Sequence, residues 1–88
     1  MRYVYMLRSL KRPNELYVGS TDNLARRIRE HNTGLSKSTK RYMPWKCVYF
    51  EGYAAEKDAY DRESRLKVGG NAMGQLKRRL RHTLIVNR

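Results

Sequence analysis

Three charged or titratable side chains stand where a helix would place apolar ones. Over residues 23–32, NLARRIREHN, the positions Leu24, Arg27, Ile28 and His31 fall at i, i+3, i+4 and i+7, the stripe a helix turns toward its core. Arg27 is therefore directed at the sheet or its edge, while Arg26, Arg29 and Glu30 point elsewhere. Over residues 55–66, Ala55, Ala59, Glu63 and Leu66 fall at i, i+4, i+8 and i+11, so Glu63 shares an apolar stripe. An inward guanidinium either snorkels, with its stem buried and its head in water, or offers its fork to a phosphate. His31, at the helix end, complements the C-terminal dipole on the simplest reading. An inward carboxylate needs a partner. That partner is either Arg27 or another arginine in a salt bridge, or a magnesium ion, which takes one or two carboxylates with water and phosphate oxygens.

Tyrosines and a glycine extend the set. Tyr5 is central in an alternating run, and Tyr17 shares a pleat side with Gly19 in LYVGS, residues 16–20. Gly19, lacking a side chain, leaves room above the sheet for something as large as a phosphodiester. Either tyrosine alone reads as packing, as do Tyr3, Tyr49, Tyr53 and Tyr60. Two tyrosines, a glycine, an arginine and a glutamate together are harder to assign to packing.

The charge balance narrows the partner. Twenty Lys and Arg against eight Asp and Glu give +12 over 88 residues, and no acid follows Glu63. Such a field suits a polyanion, most often nucleic acid. Lys37, Lys40 and Arg41 in the loop, with Lys77, Arg78, Arg79 and Arg81 farther on, are the candidate phosphate contacts, or else a solvated face. Contacts of that kind give affinity and salt sensitivity without sequence choice. Tyr42 and Trp45 offer rings for an extruded base, although Trp45 reads better as core. Cys47 is the one cysteine, which leaves no internal disulfide and no cysteine-rich zinc site; it reads as a small core residue. No stretch approaches about 18 apolar residues, so no membrane partner is expected, and without a leader pattern the expected address is cytoplasmic.

The elements that must position these residues follow from periodicity and punctuation. Residues 2–9 alternate as a strand, Pro13-Asn14 signals a turn, and residues 16–20 form a second strand, giving a hairpin. Thr21-Asp22-Asn23 supplies caps for a helix through about Asn32, and Thr33-Gly34 stops it. Residues 34–44 read as a basic loop without periodicity. Residues 45–53 are aromatic and β-branched, a third strand. A second helix is expected over about 55–67, supported by Lys57/Asp61, Asp58/Arg62 and Asp61/Arg65 pairs. Gly69-Gly70 breaks it, and a third helix follows over about 72–82, with Leu76, Leu80 and Leu84 in one row. The order ββαβαα predicts an α+β fold, a three-stranded antiparallel sheet flanked by three helices, as one domain over 1–82 with a short basic tail at 83–88. A core this small leaves a net stability on the order of 5 kcal/mol, so inward charge is a noticeable cost.

In order and spacing, Tyr3-Val4-Tyr5 and Tyr17-Val18-Gly19 resemble the paired motifs that name the GIY-YIG nuclease family. NLARRIREHN is similar to that family's first helix, with Arg27 at its arginine position, and Glu63 falls where the family has its metal-binding glutamate. STKRYMPWKCVYFE and AYDRESRLK resemble the single-domain, excinuclease-subunit-C-like branch. Of the first motif only Tyr5 matches, and Ser20 stands where the excision-repair nuclease domain has a lysine. The resemblance implies a metal-dependent endonuclease, using one Mg²⁺ or Mn²⁺ ion and acting on DNA in preference to RNA, in repair or processing. Tyr17 would activate or position water with Tyr5 assisting, Arg27 would hold the phosphate, and Glu63 would hold the metal. His31 would contact phosphate or the tyrosines. The family's catalytic domains are often joined to a separate DNA-binding domain, which implies a protein partner supplying specificity. A nucleic-acid-binding module of the same fold that cleaves little alone is the alternative, and an accessory protein with a purely structural Arg27–Glu63 pair is a third.

Overall fold

The computed structural model describes residues 1–86. Strands β1 (Arg2–Ser9), β2 (Leu16–Thr21) and β3 (Trp45–Tyr53) form one antiparallel sheet in the order β2-β1-β3. Helices α1 (Leu24–Asn32), α2 (Glu56–Val68), α3 (Asn71–Arg79) and α4 (Arg81–Val86) complete the chain. The fold is α+β, as the element order predicts. The hairpin pairs Tyr5 with Gly19 and Leu7 with Tyr17, while β1 pairs Tyr5 with Phe50 on its other side. The β1–β3 register shifts between Met6 and Leu7, leaving Val48 as the extra residue of a bulge.

Alternation along β1 divides the interior into two layers. Tyr5 and Leu7 face α1, where Trp45 joins them in a buried cluster with Tyr17, Leu24, Ile28 and Cys47 packed around it. Val4, Met6 and Val18 face α2 and α3, against Ala59, Leu66, Leu76 and Leu80. Cys47 and Trp45 thus pack as core residues. Helix α1 starts where Asn23 accepts a hydrogen bond from the Arg26 amide, an N-cap that satisfies one otherwise orphaned donor.

Several boundaries differ from expectation. The third helix is interrupted at Leu80, and α4 continues after it, so that the carbonyl of Leu84 receives the guanidinium of Arg8, itself buried. Of the basic tail expected at 83–88, residues 83–86 belong to α4 and residues 87–88 lie outside the described residues. The loop after α1 carries a single 3₁₀ turn at Lys40–Tyr42. Arg62 does not serve the exposed face of α2. It crosses to Glu51 on β3 at 2.7 Å, and the same carboxylate accepts from the hydroxyls of Tyr49 and Tyr53. Those two tyrosines are therefore polar clamps as well as packing. Their strand positions set them on the Val4–Met6 face, within reach of α2.

Candidate active site

Helix α1 delivers His31 into the layer beneath the sheet, and the cost of burying an imidazole is offset by two hydrogen bonds. His31 is fully buried, with Nε2 at 2.7 Å from the Tyr5 hydroxyl and Nδ1 at 2.7 Å from Thr39 Oγ1. Thr39, also fully buried, donates its own hydroxyl proton to the Ser36 carbonyl at 3.4 Å. Its oxygen is then an acceptor for His31, which assigns the proton to Nδ1 and makes Nε2 the acceptor of the Tyr5 O–H. Burial, assisted by the charge of Arg27, pulls the His31 pKa down to about 4, so the ring is neutral near pH 7. A neutral imidazole gains little from the helix dipole, and the sequence expectation on that point is set aside in favour of a buried relay. Tyr5 is pushed up to about 12, first by burial and then by Tyr17 beside it, with Arg27 opposing. It therefore stays protonated and donates.

Tyr17 is half-buried, and its ring is the exposed continuation of this group. Its centroid lies 5.0 Å from His31 and 6.3 Å from both Tyr5 and Trp45. No hydrogen bond engages its hydroxyl among the described residues. Gly19 does not leave open space beside it. A Cβ there would stand 2.6 Å from the Tyr5 hydroxyl and 3.0 Å from Cε2 of Tyr17, so the glycine is filled over by the Tyr5 phenol. The expectation that Gly19 leaves room for a phosphodiester is corrected accordingly: it makes room for Tyr5.

Arg27 is partly exposed, a charged neighbour of both the Tyr5 and Tyr17 phenols. It does not pair with Glu63. Its Nη1 donates to Glu30 Oε1 at 2.9 Å, because a residue three places on shares its flank of the helix. Two expectations change here: Glu30 does not point away, and a protein carboxylate already partners the inward arginine. That contact raises the Arg27 pKa further. Glu63 reaches the same region from α2, on the opposite layer. Its Oε1 accepts from the Ser20 hydroxyl at 3.0 Å and its Oε2 from Lys67 Nζ at 2.9 Å. Lys67 leans 5.6 Å from the Tyr17 ring centroid, and a cleft of about 230 Å³ lined by Tyr17, Leu66, Lys67 and Met73 runs along β2. The five candidate residues thus come from two layers, Tyr5 and Tyr17 of the sheet with Arg27 and His31 of α1 on one side, and Glu63 of α2 on the other. The two sides approach each other at the edge strand β2, where Tyr17 stands near both Arg27 and Lys67.

The basic residues divide in the same way. Lys37, Lys40 and Arg41 are on the loop that Thr39 ties to His31, and Trp45 Nε1 donates to the Thr39 carbonyl at 2.8 Å. Lys77, Arg78, Arg79 and Arg81 are exposed on α3 and α4, in the other layer. Arg12 and Arg41 both approach the Tyr42 ring, at 5.6 and 5.3 Å from its centroid. Sequence reasoning overlooked Thr39, Glu30 and Lys67 as members of the site. Lys67 had a signal, since it follows Glu63 by four residues; Thr39 had none, sitting in a polar loop without periodicity.

The fold thus sets two tyrosines and an arginine beside one sheet edge, with a carboxylate and its lysine reaching that edge from α2. The chain belongs to the GIY-YIG family, whose catalytic-domain model matches residues 1–81. It is 41% identical to a UPF0213 protein of Clostridium perfringens over 68 residues, 76% of this chain and 71% of that protein. It is 35% identical to a UPF0213 protein of Streptococcus pneumoniae serotype 4 over 66 residues, 74% of this chain and 65% of that protein. It is also 41% identical to the structure-specific endonuclease subunit slx1 of Talaromyces marneffei over 61 residues, 62% of this chain but only 16% of that protein.

Proposed function

We propose that this chain is an endonuclease that hydrolyses phosphodiester bonds in nucleic acid. The observation that supports the reading is Tyr17 at the β2 edge between Arg27 of α1 and Lys67 of α2, the lysine that pairs with Glu63, with the Tyr5–His31–Thr39 chain fixing the aromatic floor. Tyr17 Oη holds the attacking water by a hydrogen bond, and the water's proton passes to solvent. Arg27 receives the phosphate oxygens and stabilises the charge that grows on them. The water oxygen forms a bond to phosphorus as the bond to the leaving sugar oxygen breaks, and that oxygen takes up a proton from solvent. Tyr5, held protonated, and neutral His31 keep the Tyr17 ring in place and exclude water beneath it.

Glu63, with the Ser20 hydroxyl beside it, offers hard oxygen donors that fit one Mg²⁺ or Mn²⁺ ion. Among the described residues no group of three or more His, Cys, Asp or Glu forms a fuller metal cage. When bound, such an ion polarises the phosphate and stabilises the leaving oxygen. DNA, in repair or processing, is the substrate we favour over RNA, supported by the motif resemblance to the excision-repair subunit. Because the slx1 relative is named as a subunit and is several times longer, a protein partner is the proposed source of specificity. No described helix is long and apolar enough to cross a membrane.

A second reading, a nucleic-acid-binding module that cleaves little alone, is favoured by one observation. Arg27 and Glu63 are each neutralised by protein partners at rest. A panel of labelled single-stranded, duplex and branched DNA and RNA, incubated with Mg²⁺ or Mn²⁺, separates the two. The endonuclease cuts, and Glu63→Ala or Arg27→Ala lowers the rate by about 10²-fold or more. Cleavage that survives both substitutions in clean preparations removes the assignment. Binding without cleavage, with affinity unchanged in Glu63→Ala, establishes the module instead.

A further inference from the structure

Both oxygens of the Glu63 carboxylate are occupied by donors of different character. Ser20 donates to Oε1 at 3.0 Å and Lys67 to Oε2 at 2.9 Å. A second cation stands behind them: Arg2 Nη2 donates to Ser20 Oγ at 3.4 Å, and Arg2 Nε is buried without a hydrogen-bond partner among the described residues. A serine hydroxyl can rotate and turn a lone pair toward a metal ion. An ammonium has three donors, no acceptor and a full positive charge, so at Oε2 it repels and competes with a divalent cation. Lys67 can leave without disturbing the core, since its side chain is half exposed on a flexible four-carbon stem. Its Nζ already lies 5.6 Å from the Tyr17 centroid, toward the place the reacting phosphate takes in the proposed mechanism.

We propose that Lys67 guards the Glu63 carboxylate and is drawn off it by the phosphate of incoming nucleic acid, so that metal ion and substrate load together. The inference rests on the nuclease reading and adds an order of assembly to it. In the free protein the carboxylate is neutralised by Lys67, with Arg2 adding to the positive field, and divalent ions bind weakly. A phosphate beside Tyr17 and Arg27 offers Lys67 a new counter-ion, which frees Oε2. Lys67 acts through Glu63 and is a positioning residue. By linkage, the factor by which phosphate strengthens metal binding equals the factor by which metal strengthens phosphate binding.

The test is Mn²⁺ binding to protein free of nucleic acid, read from the paramagnetic resonance signal of unbound Mn²⁺. Wild type, Lys67→Met, Lys67→Arg and Arg65→Met are compared. Lys67→Met is expected to tighten binding about tenfold, within the usual range of such couplings. Lys67→Arg, which keeps the charge on Glu63, stays near wild type. Arg65→Met loses the same charge from α2 without touching Glu63 and also stays near wild type. The guard is overturned if Lys67→Met binds no more tightly than wild type, if Arg65→Met shifts binding equally, or if no variant binds Mn²⁺. The cleavage panel judges the nuclease reading separately. Cleavage lost in Glu63→Ala, with Lys67→Met binding like wild type, keeps the nuclease and removes the guard. Tighter Mn²⁺ binding in Lys67→Met without any cleavage keeps the guard as a metal gate and removes the nuclease.

Discussion

Tyr5, His31 and Thr39 form a buried chain in which each proton has one place to sit. Tyr5 donates to Nε2, Nδ1–H donates to Thr39, and Thr39 donates to the Ser36 carbonyl. Charging the imidazole would add a proton at Nε2, where Tyr5 already donates, in a site with Arg27 nearby and only the Glu30 carboxylate opposing it. The folded pKa of about 4 lies below the ordinary 6.5, so the unfolded chain binds more protons between those values. This contribution is fully present above pH 6.5 and is lost as pH falls toward 4. The shift corresponds to about 3 kcal/mol. Urea denaturation at pH 7 and at pH 4 measures it, and His31→Gln should flatten most of the slope. A His31→Gln curve with the wild-type slope would place the proton uptake on another group.

At the scale of elements, the site depends on two helices held at fixed heights on opposite faces of one sheet. Helix α1 is set by its Asn23 cap and by Leu24 and Ile28 against the Tyr5 cluster. Helix α2 is set by Ala59 and Leu66 on the other face, and by Arg62 reaching Glu51 together with Tyr49 and Tyr53. Glu51 is held below the usual carboxylate range by these donors, although its burial opposes them. Glu51→Ala leaves two tyrosine hydroxyls and a guanidinium with no shared acceptor. It should cost about 1–3 kcal/mol, read as a lower urea midpoint. Because α2 carries Glu63, the same variant should also lower the cleavage rate. Wild-type stability would show that the clamp adds nothing to the apolar contacts of α2.

Across the whole molecule, exposed positive charge is carried by both layers. The loop residues Lys37, Lys40 and Arg41 are on the segment tied to α1 through Thr39 and His31, and Lys77, Arg78, Arg79 and Arg81 are on α3 and α4. Replacing Lys77, Arg78 and Arg79 with glutamine should lower the slope of log K against log salt by about 2 to 3 on duplex DNA, close to one unit for each phosphate left without its cation. An unchanged slope would remove α3 from the interface. The sequence by itself determined the strands, the first two helices and the two faces of β1, and marked Tyr5, Tyr17, Arg27, His31 and Glu63 as candidates, because alternation and 3.6-residue periodicity are local properties of the chain. Which partners those side chains take was not local. Thr39 meets His31 because a loop without periodicity folds under α1, Gly19 is filled by a ring from the neighbouring strand, and Arg62 crosses to Glu51. Glu30 and Lys67 lay at ordinary helical spacings, yet only packing showed that these pairs, and not a direct Arg27–Glu63 bridge, neutralise the site. Partner choice depends on distances between elements that are far apart in sequence, and those distances exist only once the two layers close on the sheet.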